Sequence, residues 1–84
     1  MKNDPTEAAR RQRLAEINRE PKDRTALEAL YGQVWDTSEL ARDFIIIGFM
    51  APIIAVRRKS DDALGSLEFQ HGPPRLYFNW KPHE

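Results

Sequence analysis

The spacing of apolar residues changes part-way along this chain. Up to Gly48 they recur at helical intervals, and beyond it they alternate. The densest stretch is Asp36 to Lys59, DTSELARDFIIIGFMAPIIAVRRK. It reads as a capped helix, a glycine stop and the first strand of a small antiparallel sheet.

Asp36 stands at the N-cap position and Glu39, three residues on, completes a D-x-x-E capping box. Trp35 before the cap and Leu40 form a candidate hydrophobic staple. Leu40, Phe44 and Ile47 share one helical face, flanked by Ala41 and Ile45, with Arg42 and Asp43 opposite. Gly48 supplies the left-handed stop, and Pro52 opposes any return to helix. One signal competes. Ile45, Ile46 and Ile47 are β-branched and favour a strand. On that signal the strand begins near Phe44 and the helix shrinks to a turn or two.

Upstream, Asp4-Pro5-Thr6-Glu7 is a helix start, and Thr6 to Glu20 is rich in helix formers with a thin apolar stripe. So polar a helix gains little from packing, and the reading leaves it either projecting from the body or ordered only on a partner. Pro21 breaks it. Asp23 or Thr25 caps a second helix, Arg24 to Tyr31, with Leu27, Leu30 and Tyr31 towards the core and Gly32 as its stop. Gln33, Val34 and Trp35 form an extended link, with Trp35 as a core anchor whose indole N–H needs a partner.

Downstream, three strands are expected. The first runs from Met50 to Lys59, the second from Ser66 to Gln70 and the third from Arg75 to Trp80. SDDALG and HGPP are the turns between them. In the third strand, Leu76, Phe78 and Trp80 point inward and Arg75, Tyr77 and Asn79 outward. The resulting class is α+β: two or three N-terminal helices followed by a three-stranded antiparallel meander, as a two-layer sandwich. Residues 1–22 form the polar helix, and 23–84 a single small domain.

Composition narrows the function more than the fold. The 84 residues contain no cysteine, which removes disulfides and thiolate metal sites. Thirteen basic and thirteen acidic residues cancel, which argues against a strongly basic nucleic-acid binder. The polar start lacks the apolar core of a signal peptide. The apolar run Phe44 to Val56 is broken by Gly48 and Pro52 and falls short of the ~20 residues of a spanning helix. A soluble, cytoplasmic protein without membrane partners is the expectation.

Candidate chemistry is sparse. His71 and His83 lie in a turn and in the tail, with no ligand cluster beside them. No nucleophile arrangement or phosphate loop is visible, so catalytic residues, metals and cofactors are all read as none. A winged-helix outline fails because its recognition helix would carry Phe44 and three isoleucines. The lead reading is a non-catalytic protein–protein contact module, working with an unknown protein or as a homodimer. Ile46, Ile53 and Tyr77 are its candidate contacts. The alternative is nucleic-acid binding through Arg10, Arg11 and Arg13 on the first helix, with Arg57, Arg58, Lys59 and Arg75 at the sheet's basic end.

Overall fold

A computed structural model describes residues 7–72 and 74–83. The expected cap at Asp4 to Thr6, and Pro73 of the second turn, lie outside the described residues. Helices α1 (Glu7–Arg19) and α2 (Arg24–Tyr31) come first, then strand β1 (Val34–Asp36) and helix α3 (Thr37–Asp43). Four strands follow, β2 (Phe44–Met50), β3 (Ile53–Arg58), β4 (Leu64–Gln70) and β5 (Leu76–Pro82). With β1 they form one five-stranded antiparallel sheet in the order β1-β5-β4-β3-β2.

The α+β class and the helices-first order match the sequence reading, but the three-stranded meander does not. The sheet has two more strands, and both come from the stretch read as link and helix. The capping box is present: Asp36 accepts from the Glu39 amide at 2.8 Å, and Glu39 accepts from the Asp36 amide at 3.0 Å. It starts a helix that ends at Asp43, four residues before the expected Ile47. Three β-branched isoleucines favour extended backbone there. The Asp43 carbonyl accepts the Lys59 amide at 2.9 Å, so the chain leaves α3 directly into pairing with β3. The expected single strand Met50 to Lys59 is therefore the second half of a hairpin. Its turn is Ala51-Pro52, joined by a cis peptide bond. Gly48 is not a helix stop but a strand residue opposite Ala55, beside a bulge. Val34 to Asp36, read as a link, pairs with β5.

Two apolar clusters occupy the two faces of the sheet. On one face Ile17 of α1 and Leu27 of α2 cover Val34, Leu76 and Phe78, and Tyr31 stacks on Phe78 at 4.9 Å. The second helix matches its expected bounds and caps, with Asp23 accepting from the Ala26 amide and Gly32 at positive φ. Leu30, expected inward, is exposed. The polar helix α1 does not project. Ile17 is buried, and Arg13 donates two hydrogen bonds to Glu68 of β4, at 2.8 and 2.9 Å, and one to Tyr31 at 2.8 Å.

The other face holds Trp35, Phe44, Ile54, Val56, Leu67, Phe69 and Tyr77, closed at one end by Leu40 of α3. Trp35 and Phe44 belong to opposite edge strands, yet their rings meet edge-on at 5.2 Å. The sheet curls until its two edges approach where α3 bridges them. Strand β5 carries the second surprise. Its register with β4 shifts between Ser66 and Glu68, and Asn79 opposite that shift has a φ of 62°. Asparagine tolerates this left-handed conformation better than most residues. The extra residue turns Trp80 away from Leu76 and Phe78 and onto the Tyr77 face, where it packs against Phe44 at 5.2 Å. The strict alternation expected for this strand fails at Asn79. Tyr77, expected outward, is only 3% exposed.

A candidate association edge

The two edges of the sheet are built differently. At β1 the outer row is short and already bonded. Strand alternation directs the polar groups of Trp35 to β5 and those of Val34 and Asp36 outward. Arg24 donates to the Val34 carbonyl at 2.8 Å, and the Glu39 carboxylate takes the Asp36 amide. Arg24 and Glu39 also pair with each other at 2.8 Å, which locks the cover in place. The Glu39 carboxyl is held below the ordinary carboxylate value, first by the Asp36 amide and then by Arg24, so it stays an acceptor. Side chains thus close this edge to another strand.

Among the described residues no such cover stands over β2. Its seven residues, FIIIGFM, include no charged or polar side chain. Ile46 is 47% exposed, Ile47 57%, and Phe49 and Met50 51% each. The Arg58 amide donates to Ala63 on the β4 side. Alternation then directs Arg57 and Ile45 towards each other, and Ile46 and Phe49 towards the open side. The Phe44 amide, on that same side, is taken by the Leu40 carbonyl of α3. An apolar strand with outward amides and carbonyls is a template for another strand. The bulge at Ile47 is the one feature that interrupts it.

The sequence-derived contact residues are divided by this arrangement. Ile46 pairs with Val56 and sits on the Tyr77 face of the edge. Ile53 pairs with Met50 and Glu68, so it lies on the opposite face, half-buried. Tyr77 is inside the core and supplies no surface. The three do not form one patch. Phe49 and Met50, which the sequence reading left out, stand on the same open strand as Ile46. Only the β-branched triple at Ile45 to Ile47 hinted at this edge.

The candidate nucleic-acid residues are divided too. Arg13 is engaged by Glu68 and Tyr31, and Arg11 pairs with Glu7 at 2.6 Å. Arg10 lies half-buried on α1. Arg58 grips Asp61 at 2.7 and 3.1 Å and holds its carboxyl down to about 2, while Arg57 faces Asp62 at 3.9 Å. Arg75 lies over Phe69, at the Gln70 end of β4, whereas Arg57 adjoins Leu64 at the other end. Six strand steps separate those ends, roughly 20 Å. The basic residues form no continuous track.

Among the described residues no three His, Asp or Glu side chains gather as a metal site, and no helix is long and apolar enough to cross a membrane. The class of protein these observations define is a small α+β domain with a curled sheet, one edge covered and the other open. No family model, curated protein or solved structure matches the chain.

Proposed function

We propose that this protein is a non-catalytic association module, and that two copies join through antiparallel pairing of β2 with β2 of the partner. The observation that carries the reading is the contrast between the edges: β1 is covered by Arg24 and Glu39, and β2 is bare and wholly apolar. A chain with two open edges adds copies without limit. A chain with one open edge closes at two, in the isologous arrangement commonest among soluble oligomers. Pairing would bury Ile46, Ile47 and Phe49 from both copies, and about 25 cal/mol is gained per Å² of apolar surface removed from water. The zero net charge adds no long-range repulsion between copies.

Light scattering on the eluting protein tests this. The mass expected is twice the 9.8 kDa of the chain, unchanged or favoured by high salt, as apolar association behaves. An Ile46→Lys substitution places a charge on the open edge and should return the mass to that of one chain. Wild-type protein that runs as one chain at high concentration would count against the pairing.

A further inference from the structure

We infer that the cleft where the curled sheet's two edges approach binds a nucleoside monophosphate, free or as the 5′-phosphorylated end of a strand. The cleft measures about 670 Å³ and lies between α3, the end of β3 and Trp80 of β5. That volume is within the ~300–1,000 Å³ range of small-molecule sites. Its charges are mostly matched in pairs. Arg42 is held edge-on by Asp43 at 2.9 and 3.0 Å, and Asp43 also accepts the Trp35 indole N–H at 3.1 Å. Arg58 is held by Asp61. Lys59 is not in a direct ion pair among the described residues: its ammonium donates to a neutral carbonyl, that of Ala41, at 2.9 Å, while its charge acts more weakly on Asp43. An ammonium has three donors, so two remain for an incoming anion at the rim, where Ser60 adds a hydroxyl.

A ring has a place beside that anion. The Arg58 guanidinium lies 5.0 Å above the Trp80 ring, and its edge is spent on Asp61. Its side chain is still 36% exposed, and a planar guanidinium has a second face. Guanidinium planes stack on nucleobases. Phosphate on Lys59 and base on the Arg58–Trp80 pair is therefore a two-point site for one nucleotide.

The test uses the full chain, whose two tryptophans, Trp35 and Trp80, both line the cleft. Their indole N–H signals are followed by NMR during titration with adenosine 5′-monophosphate, adenosine and inorganic phosphate. Saturable shifts of both signals by the nucleotide, with at least tenfold weaker binding of adenosine and of phosphate alone, are expected. Lys59→Gln should weaken the nucleotide by roughly tenfold or more, the loss of one charge-assisted hydrogen bond. An unchanged backbone spectrum for that variant shows that it folds. A phosphorylated oligonucleotide that binds more tightly than the mononucleotide assigns the site to strand ends, and equal binding assigns it to the free nucleotide. No saturable shift at millimolar nucleotide, or equal affinity in Lys59→Gln, would overturn the inference. Of the β2 residues, Phe44 lines the cleft and Ile46, Ile47 and Phe49 do not, so the titration reads the cleft rather than the proposed strand pairing.

Discussion

Glu68 ties the polar helix to the sheet. Burial raises its carboxyl pKa, but hydrogen bonds from Arg13 and Asn79, with the Arg13 charge, outweigh burial and leave it below the ordinary 4.5. The Arg13 guanidinium is correspondingly raised, chiefly by Glu68. A carboxyl whose folded pKa is lowered stabilises the fold fully above its unfolded value. That stability is lost as pH falls below 4.5 towards the lowered folded value. Acid should therefore loosen α1 before the sheet melts, and pH-dependent exchange of the α1 amides would report it. Glu68→Gln keeps the shape and removes the charge. It should cost about 1 kcal/mol, the difference between charged and neutral hydrogen bonds. In a domain of this size that lowers the melting temperature by roughly 4–8 °C per kcal/mol. Gly65 is a second sensitive position. A Cβ there would meet Trp80 Cη2 at 2.5 Å and the Lys81 carbonyl oxygen at 2.6 Å, one of them backbone. Gly65→Ala should destabilise by about 1–3 kcal/mol through overpacking, read by the midpoint of thermal or urea unfolding.

At the scale of elements, α3 rests on its N-terminal box. Asp36→Ala removes the acceptor for the Glu39 amide and should cost about 1 kcal/mol of unfolding free energy in a denaturant titration. The same substitution leaves Arg24 and the Val34 carbonyl in place, so the β1 edge stays covered. This helix also shows where the sequence was legible. Cap signals act through local hydrogen bonds, and they placed the starts of α2 and α3 correctly. The end of α3 was misread because Leu40, Phe44 and Ile47 satisfy helical spacing while Ile45 to Ile47 satisfy strand propensity. Pairing with β3, a contact between distant residues, decided in favour of the strand. The β5 bulge was invisible for a similar reason. In LYFNWKP only the asparagine itself, a weak signal, marks Asn79 as left-handed, and without that knowledge Tyr77 and Trp80 fall on the wrong faces. The docking of α1 was hidden as well, since Arg13 finds its partner 55 positions away.

The whole molecule is a curled sheet with unequal edges, and the proposed assembly rests on that inequality. Arg24 and Glu39 keep β1 from pairing, so Arg24→Ala exposes the Val34 carbonyl. The Glu39 carboxylate still holds the Asp36 amide, so the edge opens in part, and copies should begin to add beyond two. Light scattering would show a mass rising with concentration, where the wild-type mass is expected to stay at that of two chains. The open edge itself is most directly read by amide hydrogen exchange at Ile46. In a single chain this amide faces solvent, with no strand beyond it, and exchanges quickly. Paired with β2 of a second copy it becomes an interior ladder hydrogen bond. Protection of the Ile46 amide that grows with protein concentration and disappears in an Ile47→Lys variant is the result expected. Fast exchange at Ile46 at every concentration, beside a protected Ile54 in the core, would contradict association through β2.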